Sequence, residues 1–125
     1  MKFTLETLDV YLAAEEFSNA IWDIVAEWKF FEKDTVGKQF VRSADSISAN
    51  IAEGYGRYYF SESIMFYYYS RGSILETKSW LKKSVRRKLI NQKQFDFLIQ
   101  ELESIHFKLN SFIKYVTKTK KNLKK

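Results

Sequence analysis

The chain has 125 residues, of which 46% are hydrophobic and 29% charged, with no cysteine, no proline and four glycines. That length closes one hydrophobic core and is too short for two, while the composition excludes a disordered chain, a disulfide framework and thiolate chemistry. The formal charge is +6 and is unevenly spread. Residues 1–32 carry two cations against seven carboxylates, residues 33–77 balance, and residues 78–125 hold fourteen cations against three carboxylates. An acidic start and a basic second half suit either head-to-tail attraction between copies or a face for a polyanion.

Glu6 and Asp9 stand where a signal peptide would be apolar, and no stretch is apolar for a membrane-spanning length, so a cytoplasmic protein without a membrane segment is expected. The spacing predicts a first helix over about 5–31, with Thr4 as its N-cap and Leu8, Leu12, Phe17, Ile21, Ile24, Val25 and Trp28 on one side. Glu32-Lys33-Asp34 is expected to make the turn, with Asp34 capping the next helix.

A second helix is predicted over about 35–56, with its apolar stripe at Val36, Phe40, Ala44, Ile47, Ile51 and Tyr55. Beside that stripe runs a polar seam, Gln39, Ser43, Ser46, Asn50, Glu53 and Arg57, whose small members allow a neighbouring helix to approach closely. Gly54 and Gly56 are expected to end the helix in the left-handed conformation.

The third helix is predicted over about 60–87, opening near Ser61 with Glu62 in its first turn. It holds Phe66-Tyr67-Tyr68-Tyr69, which point in four directions, so a single core cannot receive them all. Gly72 in mid-helix suggests close approach of a partner's backbone, since glycine there costs about 1 kcal/mol relative to alanine. Asn91 suits the N-cap of a fourth helix over about 92–117, whose seam is Phe95, Leu98, Leu102, Ile105, Leu109, Phe112 and Val116. A lysine-rich flexible tail is expected over 118–125. Four amphipathic helices and short turns predict an all-α domain, an antiparallel up-down-up-down four-helix bundle over 1–117.

Gln39-Phe40-Val41-Arg42-Ser43-Ala44, Ser46-Ile47, Asn50-Ile51-Ala52-Glu53-Gly54-Tyr55-Gly56-Arg57, and then Arg71-Gly72-Ser73 with Glu76, together resemble the signature of the 23S ribosomal RNA intervening-sequence protein family. The resemblance implies an antiparallel four-helix bundle, commonly assembled as a barrel-like homopentamer. It also implies a distant likeness to the accessory variability proteins of diversity-generating retroelements, which associate with nucleic acid. On this resemblance Arg42, Ser43, Ser46, Asn50, Glu53, Gly54, Gly56, Arg57, Gly72, Ser73 and Glu76 are the motif positions. The family name reports where some members are encoded and leaves the biochemical role open.

Among the candidate functional groups, Lys82, Lys83, Arg86, Arg87 and Lys88 form the strongest footprint for RNA or DNA, with Arg57 beside the second turn as a further phosphate contact. The blander reading is a solvated helix end whose cations complement the dipole. For Asn50, Glu53 and Arg57 the competing readings are a ligand site and an i,i+4 pair with Asn50 capping or bridging helices. Arg42 and Glu76 suit an ion pair between helices or between subunits. Tyr58, Tyr59 and Phe66 to Tyr69 offer faces either for unpaired bases or for a core and subunit interface. His106 is the only histidine, and no zinc spacing or phosphate loop occurs, so neither catalysis nor a metal or cofactor is expected. The expectation is a non-enzymatic homo-oligomer that binds nucleic acid through a basic surface. The alternative is a protein-interaction scaffold with no nucleic-acid role.

Overall fold

The computed structural model describes the backbone of residues 4–123 and the side chains of residues 4–119. A short 3-10 turn (Leu5–Thr7) leads into α1 (Asp9–Ala26). A tight turn is followed by α2 (Phe30–Glu32), a π-helical segment (Lys33–Gly37) and α3 (Lys38–Tyr55), which run on as one rod because the backbone stays helical at both joints. Then come α4 (Phe60–Arg86) and α5 (Gln92–Leu123). No strand occurs among the described residues.

Each long helix runs antiparallel to the next. Ser48 on α3 bonds Glu15 on α1, while Gly37 lies by Val25 near the far end of α1. Along α3 and α4 the facing pairs are Ser43 with Thr77, Ile47 with Ser70, and Gly54 with Tyr67. Along α4 and α5 they are Tyr67 with Phe112, Arg71 with Asn110, and Lys78 with Glu103. Packing of α1 on α5 closes the ring, so the chain is a four-helix bundle of up-down-up-down order.

The core follows the apolar periodicity. Phe17, Ile21, Phe40, Ile47, Ile51, Ile74, Leu81, Leu98, Leu102, Ile105 and Leu109 are completely or almost completely buried. Each contributes about 1.5–3 kcal/mol of hydrophobic burial, set against the entropy of ordering the chain.

Several local expectations are corrected. The first turn falls at Glu27–Lys29, not at Glu32–Asp34: Glu27 N–H donates to Ile24 O and Trp28 N–H to Val25 O, and Lys29 is extended. Trp28 kept the apparent helical period because it packs beside Phe40, with ring centroids 6.3 Å apart, from the turn instead of from the helix. Asp34 therefore caps nothing; it lies in the π-helical segment and pairs with Lys38 at 3.5 Å. Leu12 is 46% exposed, because Leu8 precedes α1 with an extended backbone and the inward row is set by Val10, Ala14, Phe17, Ile21 and Val25. Tyr55, expected on the apolar stripe, ends α3 at the surface.

The expected left-handed glycine cap is absent: no described glycine has positive φ, and Gly56 sits at φ −84°. Gly54 is buried and serves close packing instead. α4 begins at Phe60, at the predicted boundary, with Tyr59 at its N-cap and Glu62 in its first turn. Asn91 does cap α5, accepting from Gln94 N–H at 2.8 Å while Gln94 Oε1 accepts from Asn91 N–H at 2.9 Å. That helix continues to Leu123, past the predicted boundary, so residues 118–123 extend it rather than forming a separate tail. Residues 124–125 of the expected tail lie outside the described residues.

Candidate nucleic-acid interface

The last turns of α4 bury Leu81 and Ser84 completely. At 100° per residue that turns Lys82, Lys83, Arg86 and Arg87 outward, and all four are exposed. The helix ends in a Schellman arrangement: Leu89 N–H donates to Ser84 O at 2.8 Å, and Lys88 N–H to Val85 O at 3.1 Å. Lys88 takes the position glycine usually fills, with φ 64°, the one positive φ of a non-glycine residue among those described. Ile90, 4% exposed, anchors the turn to the core and fixes where the five cations stand.

Some of the remaining cations are spent on carboxylates, while Lys29, Lys33, Arg71, Lys93, Lys114 and Lys118 resemble these five in forming no ion pair among the described residues. Lys38, Arg42, Arg57, Lys78 and Lys108 all lie in ion pairs. Lys82, Lys83, Arg86, Arg87 and Lys88 form none among the described residues. Lys83 has softer contacts, 5.4 Å from the Trp80 ring centroid and 3.5 Å from Ser79 Oγ. A shallow groove of about 360 Å³ runs alongside, lined by Leu75, Lys78, Ser79, Lys82, Lys83 and Arg86.

Arg57 is not brought to this surface. It lies beyond the opposite end of α4, which spans about 40 Å at 1.5 Å per residue. Its guanidinium bonds Glu53 at 2.6 Å, approaches Glu62 at 3.8 Å and covers the Phe66 ring at 4.7 Å.

Some of the motif positions, Arg42, Ser43, Gly54 and Glu76, build the α3–α4 contact. Ser43 is fully buried and accepts from Thr77 Oγ1 at 3.0 Å. Ser46 donates to Arg42 O, and Asn50 Nδ2 to Ser46 O, so Asn50 ties back to its own helix and bridges to no other helix among the described residues. Arg42 pairs with Glu76 within the chain, and Glu76 also accepts from Trp80 Nε1 at 3.2 Å. Ser73 lends its carbonyl to Thr77. Gly72 faces outward, where a Cβ would meet nothing within 4 Å. Ser70, fully buried and donating to Ile47 O at 2.7 Å, belongs to the same contact and was missed. The spacing Ser70, Ser73, Thr77, Ser84 mirrors the seam on α3 and was the available signal.

Of the four consecutive aromatics only Tyr67 is buried; Tyr68 and Tyr69 are exposed and Phe66 is half-buried. Burial, with the nearby Tyr55 second, pushes the Tyr67 phenol up to about 12. His106 is half-buried and held below its ordinary value by burial, then by Lys78 and Arg71, with Glu103 opposing. Among the described residues no group of three or more His, Asp or Glu side chains is placed to hold a metal ion, and no helix is long and apolar enough to cross a membrane.

The family model for the 23S rRNA-intervening sequence protein matches residues 6–111, which include all of the α3–α4 motif. The chain belongs to that family. In three dimensions it is similar to the crystal structure of an S23 ribosomal protein family member of unknown function from Bacteroides thetaiotaomicron VPI-5482. The TM-score is 0.76 at 25% identity, covering 84% of this chain and 98% of the other. No curated protein matches the chain.

Proposed function

We propose that this family member is a non-catalytic, self-assembling bundle that binds nucleic acid, RNA foremost, at the basic end of α4. One observation carries the reading: five exposed cations are gathered at one helix end, and none is spent on an ion pair among the described residues. Cations left unpaired beside one another repel, and phosphates relieve that repulsion while releasing counterions. Repetition around an assembly multiplies such contacts into useful affinity.

Self-assembly is supported by the outward line of α4. Met65, Tyr69 and Gly72 fall within an arc of about 60° at 100° per residue, and the first two are exposed apolar side chains. A helix from a second copy fits closely over a glycine. A pentamer is the order that the family resemblance implies. The same line also suits a different protein, which is the scaffold reading.

Fluorescence polarisation with structured RNA, between about 50 and 200 mM salt, tests the proposal. Affinity is expected to fall steeply with salt and to be lost in an Arg86→Glu/Arg87→Glu variant. No binding at low salt, or binding indifferent to salt, would sink it. Capture of a protein partner that survives the same charge reversal would favour the scaffold.

A further inference from the structure

The flank where α4 meets α5 carries a groove of about 790 Å³ that is separate from the basic end of α4. Tyr68 and Arg71 line it from α4; Asn110, Lys114, Tyr115 and Lys118 line it from α5. Tyr68 and Arg71 on α4, and Asn110, Lys114 and Lys118 on α5, recur at steps of three and four and so face one another across the groove, with Tyr115 one residue round the helix from Lys114 at its edge. No carboxylate among the described residues lines the groove.

Arg71 is held in place there. It donates to Asn110 Oδ1 at 2.9 Å, and its guanidinium carbon lies 4.8 Å from the Tyr68 ring centroid. A guanidinium has five N–H donors, and Arg71 forms no ion pair among the described residues. Lys114 and Lys118 form none either. The Tyr68 and Tyr115 side chains are 47% and 49% exposed, so each is half sunk in the wall and half open to solvent.

We infer that this groove binds a nucleotide of an unpaired strand, with its phosphates on Arg71, Lys114 and Lys118 and its base against Tyr68 or Tyr115. The inference rests on the nucleic-acid reading above and adds a second site of different chemistry. Cations alone accept any phosphate chain, duplex included. Tyrosine faces add affinity only for a base that has left its pair, because a duplex hides its base faces in the stack. An acidic peptide would use the cations and leave the rings idle. The groove's volume lies within the range of sites that enclose a small molecule of nucleotide size, about 300–1,000 Å³.

The test uses the full chain with fluorescein-labelled decamers of uridine and of deoxythymidine, and with an RNA duplex of the same length. A Tyr68→Leu/Tyr115→Leu variant, its helicity checked by circular dichroism, is expected to lose roughly fivefold to a hundredfold in single-strand affinity. Its duplex affinity is expected to stay within about twofold, since phosphate contacts are untouched. No loss on the single strands, or an equal loss on all three probes, overturns the inference. Cross-linking a 5-bromouridine decamer gives a second readout. Adducts on Tyr68 or Tyr115 support the site, and adducts confined to Lys82–Lys88 overturn it. The Arg86→Glu/Arg87→Glu variant keeps the two readings apart: unchanged duplex binding there defeats the basic-end proposal and leaves the groove standing.

Discussion

The ring of Tyr67 occupies the space that a side chain at Gly54 would need. A Cβ at Gly54 would lie 2.6 Å from Tyr67 Cε1 and 2.9 Å from the carbonyl oxygen of Ser63. One obstacle is a buried ring and the other is backbone, so neither yields cheaply. Gly54→Ala is expected to destabilise the protein by about 1–3 kcal/mol in urea unfolding, the usual cost of overpacking. At Gly56 the same methyl would meet only carbonyls of its own helix at 3.7 and 3.8 Å, and Gly56→Ala is expected to be neutral or mildly stabilising. Equal effects at the two positions would show that the Tyr67 contact is not tight.

Tyr67 also makes an alkaline prediction. Its phenol ionises near 10.0 in the unfolded chain and is pushed up to about 12 in the fold by burial, then by Tyr55. Above pH 10 the folded state keeps a proton that the unfolded state releases, so stability falls as pH rises through this window. The slope from this one group approaches about 1.4 kcal/mol per pH unit. Tyr67→Phe removes that share, so urea midpoints of the variant are expected to fall less between pH 9.5 and 11.5 (roughly that window) than those of the wild type.

Lys88 holds a left-handed backbone conformation at φ 64° where glycine has no Cβ penalty. Lys88→Gly is expected to stabilise the fold by about 1 kcal/mol, the strain relieved less the entropy of the added glycine. It also deletes one of the five unpaired cations. If Lys88 touches a phosphate, the slope of log affinity against log salt drops by about one. A gain in melting temperature with an unchanged slope would leave the other four cations as the interface.

Gly72 separates the needs of the single chain from those of an assembly. A Cβ there meets nothing within 4 Å, so Gly72→Ala is expected to stabilise the isolated bundle by about 1 kcal/mol on helix propensity. If Met65, Tyr69 and Gly72 form the contact between copies, the same methyl obstructs close approach and weakens association in light scattering. A more stable chain with unchanged association would move the contact elsewhere on the surface.

The bundle was legible in the sequence because burial follows one period. The stripe Val36, Phe40, Ala44, Ile47, Ile51 is buried throughout, as are Leu98, Leu102, Ile105 and Leu109 of the fourth helix. The first turn was not legible. It uses neither glycine nor proline, and Trp28 lies in it at a spacing that continues the helical pattern. Within the polar seam Ser43 bonds to α4 of the same chain, whereas Gln39, Ser46 and Asn50 bond within their own helix and Glu53 pairs with Arg57. The buried part of the seam is thus taken up within the chain, while Gly72 and the exposed aromatics Tyr68 and Tyr69 stay at the surface.

The basic run could be located from residue order, because Lys82 to Lys88 are adjacent in sequence and adjacency survives folding. Arg57 was grouped with them by chemistry alone, and the length of α4 puts it at the other end of the bundle. The α4–α5 groove was invisible in the sequence: Arg71 and Asn110 are 39 residues apart, and each alone reads as an ordinary surface residue. Periodicity reports which way one helix faces. Which side chains meet across two helices depends on their register, and register is set by how the whole core packs. The sequence by itself therefore determined an all-α bundle and a cationic helix end, and only tertiary packing decided which cations stand free and which tyrosines stand beside them.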